Sequence, residues 1–276
     1  VCQLPTVLVA SVRKTMPHLA GEIAGNPSHH LKVVGITGTN GKTSVTSMLA
    51  DVLQSLGWDS RTIGTLSGER TTPEAPEFQR SLADWVTDGV DCVAAEVSSH
   101  ALEQHRVDAT WFTAVAFTNL GRDHLDYHAT MEAYALAKGR LFNTSFTDRA
   151  VVVTDGDAGK RQAELAALAG LEVVEVSTRG LKYVLGAQLV EVPWREYQLK
   201  VSVGGRFAVV NALVVAELAT LLGGDPTEVV EALSEVRPIP GRFEKVRVAG
   251  DLDVVVDYAH TPDALTGLLE SCRETN

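Results

Sequence analysis

VVGITGTNGKTSVTSMLADVLQSLG, residues 33–57, decides the fold. Five mostly apolar residues run into a glycine-rich turn, which closes on Lys42 and Thr43 and leads into a helix-like run stopped by Gly57. A strand, a glycine turn and a Lys-Thr pair opening a helix make a phosphate cradle. The turn's backbone N–H groups and the helix N-terminus meet the anion, the lysine reaches the terminal phosphates, and the hydroxyl ligates magnesium. The usual spacing places a further glycine five residues before Gly41, where this chain has Ile36, so the cradle is a variant. A glycine turn that merely packs a strand on a helix would require neither Lys42 nor Thr43.

Outward from this stretch the alternation continues. Residues 62–66 are apolar-rich, 77–88 read as a helix closed by Gly89, and 91–97 read as a strand. Next come a strand over 112–119, a helix over 130–142, a strand over 150–155, a helix over 158–170 and a strand over 171–177. Strands alternating with helices predict an α/β fold of P-loop type: a mostly parallel sheet with helices on both faces. From 183 to 203 short alternating strands such as YQLKVSV predict an antiparallel edge added to that sheet, and helices near 209–222 and 226–236 finish the unit. RPIPGRFEK, 237–245, reads as a linker, and VRVAGDLDVVVDY, 246–258, restarts strand-like material, the start of a second, Rossmann-like domain. The expected division is 1–30 as the remnant of a preceding domain, 31–240 as the central domain that carries the cradle, and 241–276 as the opening of a further domain.

The 276 residues are 45% hydrophobic and 21% charged, which suits a soluble globular protein of one large domain plus pieces. No apolar run approaches the roughly 18 residues of a membrane span, and the start lacks the order of a signal peptide, so a cytoplasmic location is expected. A net charge of −11 without any basic run argues against a nucleic-acid surface. Cys2, Cys92 and Cys272 show no CxxC spacing, which implies neither a zinc site nor a disulfide framework. The chain opens on Val1, and both ends read as cut from a longer protein.

Two further strand exits carry chemistry. EVSSHALEQHR, 96–106, places Glu96, Ser98, Ser99 and His100 at the carboxyl end of a buried strand, where open α/β sheets bind ligands. Glu96 is a reasonable magnesium ligand, since hard cations prefer oxygen, while one of the two serines caps the following helix. FTNLGRDHLDYH, 117–128, brings Asn119, Asp123, His124, Asp126 and His128 to the next strand end, in a spacing that fits no zinc pattern. His128 reads as a structural histidine.

GITGTNGKT, TIGTL, TTPEAPE, EVSSHALEQHRV, FTNLGRDHLDYHATMEAYALAKGRLF, the asparagine of VVNAL, PGRFE and DYAHTPDAL occur in the order found in MurE-type Mur ligases, and the chain resembles that family from about residue 27 to its last residues. Mur ligases transfer the terminal phosphate of ATP to a carboxylate of a UDP-muramoyl peptide and then let an amino acid's amine attack the acyl-phosphate. The resemblance also accounts for the glycine spacing, because GTNGKT is the family's form.

By that resemblance Gly38, Thr39, Asn40, Gly41, Lys42, Thr43 and Ser44 hold the ATP phosphates, with Asn119 beside them. Thr43 and Glu96 share one magnesium, and His124 ligates a second. Lys138, a solvent-facing helix lysine when read alone, matches the lysine that the family carbamylates with CO2, which turns a cation into an oxygen ligand. Lys42, Glu96, His124 and Lys138 form the catalytic set. Thr71, Thr72, Ser98, Gln104 and Arg106 match contacts to the UDP-muramoyl dipeptide. Asn211, Arg242 and Asp257 match contacts to the nucleotide. The implied partners are ATP, two magnesium ions, UDP-N-acetylmuramoyl-dipeptide and an amino acid, acting on a monomer in a bacterial cytoplasm.

The family's amino-acid signature, DNPR, does not occur in these residues, so the incoming amino acid is not legible, and this chain alone is expected to bind nucleotide without completing ligation. A relative of the folylpolyglutamate or cyanophycin synthetase type would share the cradle but lack TTPEAPE and EVSSHALEQHR. A plain P-loop ATPase would need neither Lys138 nor an acceptor site.

Overall fold

Apolar residues on both faces of successive strands dictate where the sheet sits. In the strand that precedes the glycine turn, Val33 points to one core, and Val34 and Ile36 point to the other, all of them fully buried. The same period-2 division recurs at 92–97, 114–117 and 150–153, as expected for strands covered on both sides. The structure is a computed structural model that describes residues 6–186, 189–246, 252 and 254–275. Cys2 and residues 247–251 and 253 of the strand-like stretch lie outside the described residues.

In chain order the elements begin with α1 (Val12–Ile23), a 3₁₀ turn at Pro27–His29, β1 (Lys32–Thr37), α2 (Lys42–Ser55), β2 (Ser60–Ile63), α3 (Ala75–Asp88) and β3 (Cys92–Glu96). There follow α4 (Ser99–Glu103), β4 (Ala114–Phe117), α5 (Leu125–His128), α6 (Met131–Gly139), β5 (Arg149–Val153), α7 (Asp157–Leu168) and β6 (Glu172–Val176). The last are β7 (Val184–Leu185), β8 (Val190–Trp194), β9 (Tyr197–Val201), α8 (Arg206–Leu221), α9 (Pro226–Ser234), β10 (Glu244–Val246), β11 (Val254–Val256) and α10 (Pro262–Glu274).

β1 to β6 form one parallel sheet in the order β2-β3-β1-β4-β5-β6. Helices α2, α8 and α9 cover one face, and α3, α4 and α7 cover the other. The chain leaves β1 toward β2 on one side and, after β3, crosses to β4 on the other. The strand order therefore reverses at β1, and the carboxyl ends of β1, β3 and β4 border the crevice where such folds bind ligands.

One expectation changes. The strands of 183–203 do not extend the main sheet; β7, β8 and β9 form a separate antiparallel sheet. Their one-sided pattern explains this. Val190, Val192, Trp194, Leu199 and Val201 face the core shared with α8 and α9, while Glu191, Gln198 and Lys200 face outward. A strand apolar on one face belongs to a covering layer rather than to a sheet buried on both. Residues 12–23, read within an N-terminal remnant, form a regular helix that packs on α3, capped by Ser11 and carrying Pro17 inside it.

Candidate active site

The glycine turn is held from behind by the end of β4. Gly38 has φ +151°, and a Cβ there would run into the Thr118 hydroxyl. Thr118 donates to the Asn40 carbonyl at 2.6 Å. Asn119 accepts from Asn40 N at 2.9 Å and donates to Asn40 O at 3.1 Å, and its own carbonyl accepts from Thr39 N at 3.0 Å. The Thr39 hydroxyl accepts from Gly121 N at 2.9 Å and lies 3.2 Å from the Tyr134 hydroxyl. Gly41, at φ +87°, ends the turn as the N-cap of α2 without any side-chain cap, so the first amides of a 14-residue helix are left for an anion. Ile36, where the common motif has glycine, is a buried residue of β1, and the turn begins after Thr37.

Two lysines meet on this turn. Lys42 Nζ donates to the carbonyls of Gly38 and Thr39, both at 2.8 Å, and Lys138 Nζ donates to the same Gly38 carbonyl at 2.8 Å. Lys138 is only 1% exposed and lies over the Tyr134 ring, 4.3 Å from its centroid, which replaces the solvent-facing reading of its helix position. Burial, and then the neighbouring Lys42, lower its basicity well below the ordinary lysine value. Burial also lowers Lys42, against the opposing pull of Glu96 and Asp123.

Glu96, the last residue of β3, is 1% exposed. Its carboxylate accepts from the Thr43 hydroxyl at 3.1 Å, from Thr65 N at 2.8 Å and from the Thr65 hydroxyl at 3.3 Å. Gly64 makes the space: a Cβ there would lie 2.8 Å from Glu96 Cδ. Arg242 Nη2 donates to the Thr43 hydroxyl at 3.0 Å, bringing a positive charge to the same oxygen. Thr43 and Glu96 thus offer hard oxygen donors to a cation. Among the described residues no group of three or more His, Cys, Asp or Glu is arranged as a metal site. The pair suits an ion that takes its remaining ligands from phosphate and water, as magnesium does.

His124 stands in a left-handed conformation at φ +52°, as N-cap of α5. Its ring meets His100 edge-on at 4.8 Å and lies 3.5 Å from the Asp123 carboxylate. Burial lowers its basicity, with Asp123 opposing, so the neutral imidazole is favoured. His128, seven per cent exposed, bonds the Ser99 hydroxyl at 2.9 Å and packs against Tyr134, in keeping with its structural reading.

At the exit of β3, Thr72 donates to the Glu96 carbonyl at 2.8 Å and accepts from Ser98 N at 3.1 Å. Ser98 is the serine that caps α4, accepting from Ala101 N. Arg106 donates to the Thr72 carbonyl and to Gln104 Oε1, both at 2.8 Å. Thr71 meets the Thr65 hydroxyl at 3.2 Å. On the far side, Asn211 in α8 faces Gly41, and Arg242 lies over Tyr258 at 4.6 Å. Both oxygens of Asp257 accept backbone amides, from Phe243 and Ala259, at 2.8 Å, so its carboxylate ties the end of β11 to the segment before β10.

All the site residues expected from the sequence except Gly38 and Gln104 line one cleft of about 570 Å³, which Thr65, His100 and Asp123 also border. Sequence reasoning gave no role to Thr65, Thr118 or Tyr134. Tyr134 was findable from its i, i+4 spacing to Lys138 on α6, and Thr65 from its place beside Gly64 in TIGTL. Thr118 carried no signal of its own.

Residues 36–219 match the Mur ligase middle domain. The chain is 40% identical over 291 residues to the UDP-N-acetylmuramoyl-L-alanyl-D-glutamate--2,6-diaminopimelate ligase of Alkalilimnicola ehrlichii, covering 98% of this chain and 58% of that protein. A solved structure of a ligase of the same description superposes with a TM-score of 0.84 at 27% identity, covering 98% of this chain and 59% of the other. The FPGS-AMPPCP-folate complex superposes with a TM-score of 0.76 at 17% identity, covering 98% and 78%, and shares the fold. The chain spans less than two thirds of the length of the ligases it matches.

Proposed function

The chain belongs to the Mur ligase family, and from that premise we propose that it is the ATP-binding part of a ligase that joins an amino acid to UDP-N-acetylmuramoyl-dipeptide in peptidoglycan precursor synthesis. In this reading, 31–240 is the ATPase unit and 241–276 opens the unit that follows. The similar ligase's name gives 2,6-diaminopimelate as its amino acid, and we take that as the third residue here. A monomer working in the bacterial cytoplasm is part of the same reading. Among the described residues no helix is long and apolar enough to cross a membrane.

The observation that carries the proposal is the convergence of Thr43, Glu96, Lys42 and buried Lys138 on one glycine turn. Phosphoryl transfer between two anions needs cations and fixed donors more than it needs a base. The amides of residues 38–44 and Lys42 bind the phosphates, with Asn119 fixing the turn. Asn211, Arg242 and Asp257 border the nucleotide. Thr71, Thr72, Ser98, Gln104 and Arg106 orient the acceptor so that its carboxylate meets the terminal phosphate. Thr43 and Glu96 would hold one magnesium, and His124 and carbamylated Lys138 a second; such ions would neutralise the charge that keeps the two anions apart. No side chain serves as nucleophile: the carboxylate oxygen attacks phosphorus, the bond to ADP breaks, and the amino acid's amine then displaces phosphate from the acyl carbon.

A Lys138 amine lowered by burial suits carbamylation: Nζ attacks the carbon of CO2, an N–C bond forms and a proton leaves. A carbamate carbon signal in labelled bicarbonate, absent from Lys138→Ala, tests this. The site as a whole is tested by Glu96→Ala, which is expected to weaken magnesium-dependent binding of a non-hydrolysable ATP analogue at least about tenfold. Unchanged binding would overturn the reading.

A further inference from the structure

The Glu96 carboxylate is held chiefly by one residue of the loop that follows β2. Thr65 meets it twice, donating from its backbone N–H to Oε1 at 2.8 Å and from its hydroxyl to Oε2 at 3.3 Å. The Thr43 hydroxyl donates to Oε2 from the other side at 3.1 Å. The loop is tied in turn: Gly64 N donates to Ser67 Oγ at 2.8 Å and Ser67 N donates to Gly64 O at 3.1 Å, a turn that presents the Thr65 amide to the end of β3. A hydroxyl has one proton to give. With that of Thr65 on Glu96, the Thr71 hydroxyl 3.2 Å away is the donor to Thr65.

These bonds make the two carboxylate oxygens unequal. Oε1 takes the Thr65 amide and lies so close to Gly64 that a Cβ there would collide with it, so this oxygen is closed off. Oε2 is the oxygen turned toward Thr43, the other hard donor of the pair. Two adjacent ligands of an octahedral magnesium ion, each about 2.0–2.1 Å from it, stand about 3.0 Å apart; calcium, at about 2.3–2.6 Å, spreads them to about 3.5 Å and readily takes both oxygens of one carboxylate. The 3.1 Å between Thr43 Oγ1 and Glu96 Oε2 fits the smaller ion. A carboxylate whose Oε1 is already occupied offers the single oxygen that such an ion requires.

We propose that Thr65 is a positioning residue that makes Glu96 a one-oxygen ligand and thereby sets the preference of the cleft for magnesium over calcium. The proposal rests on the reading of Thr43 and Glu96 as cation ligands. Thr65 acts through Glu96: without its hydroxyl the carboxylate is free to turn about the remaining amide bond, and Oε2 leaves its fixed spacing from Thr43. That freedom costs an ion with strict octahedral geometry more than it costs calcium, whose coordination is irregular and adaptable.

The test is titration calorimetry of the chain with a non-hydrolysable ATP analogue, in magnesium and in calcium, for the parent, Thr65→Val, Thr65→Ala and Thr65→Ser, with melting temperature as a check on folding. Thr65 is exposed, so its truncation leaves the core intact. The parent is expected to bind the analogue more tightly in magnesium. In the valine and alanine variants the magnesium affinity should fall at least about tenfold and the calcium affinity less, so that their ratio drops at least about fivefold. Serine keeps the hydroxyl and should hold the parental ratio. A parental ratio in the valine and alanine variants, a fall of both affinities together, or a parent that does not distinguish the two ions would overturn the role of Thr65 and leave the ligase reading standing. Analogue binding by the parent that needs neither ion would instead remove the cation reading of Thr43 and Glu96, and the role of Thr65 with it.

Discussion

Lys42 and Lys138 donate to a single carbonyl oxygen, that of Gly38, and burial lowers the basicity of both. The consequence reaches stability. Between the lowered folded value of Lys138 and its ordinary 10.5 the unfolded chain binds more protons than the folded one, so stability rises with pH across that window and levels off above it. Lys138→Met removes one of the two lysine titrations of this sign. Thermal unfolding from pH 7 to 11 is expected to show a higher melting temperature at pH 7 and a shallower slope than the parent; an unchanged slope would mean that Lys138 is not buried in its basic form. At this scale the sequence was informative where chemistry demanded particular residues: Lys42, Thr43 and Glu96 are together as their motifs imply. It was silent on burial. Lys138 reads as an exposed helix lysine because nothing local reveals that Tyr134 and the glycine turn close over it.

At the level of elements, the site depends on small connections between secondary structures. Gly64, just after β2, gives room to the Glu96 carboxylate at the end of β3. Gly64→Ala should push that carboxylate off Thr43, cost about 1–3 kcal/mol of stability and weaken magnesium-dependent nucleotide binding, measured by urea unfolding and by titration with an ATP analogue. The short helices α4 and α5 are joined by the bond between His128 and Ser99. His128→Leu leaves a buried hydroxyl without its partner and should cost about 1–3 kcal/mol in urea unfolding, with His124 losing its fixed place beside His100. The parallel strands were readable because both of their faces are apolar. α1 and the four-residue helix α5 were not, since α1 carries an internal proline and α5 is too short for a periodic pattern, while the five-residue α4 was announced only by its capping serine. The misplacement of β7 to β9 arose because alternation tells which face of a strand is buried and not which sheet it joins.

Across the whole molecule the cleft is walled by the ends of the central sheet on one side and by Arg242, Phe243 and residues of the stretch 257–268 on the other. Arg242 spans the two walls, donating to the Thr43 hydroxyl and lying over the Tyr258 ring. Arg242→Ala should weaken binding of the magnesium–ATP analogue about tenfold and abolish the protection from hydrogen exchange that the nucleotide is expected to give residues 254–268. Protection that persists in the variant would show that the far wall closes by other contacts. This coupling was legible only through the family resemblance, because no pattern within PGRFE says which hydroxyl its arginine will reach.

The strand order carries one more consequence. β1, which leads into the phosphate turn, pairs on one side with β3, in a register matching Lys32 to Cys92, and on the other with β4, matching Val34 to Ala114. Neither neighbour precedes it. A chain growing from the ribosome therefore displays the complete glycine-turn motif, finished at Thr43, about fifty residues before β3 begins at Cys92, and the residues that lock the turn, Thr118 and Asn119, arrive later still. Long-range parallel pairing of this kind is slow, because the loops must close before any contact repays them. Nucleotide affinity is thus a late and abrupt acquisition in the life of each molecule, gained when β4 docks, and an ATP analogue added during refolding should report the closing of the sheet rather than the formation of its first helix.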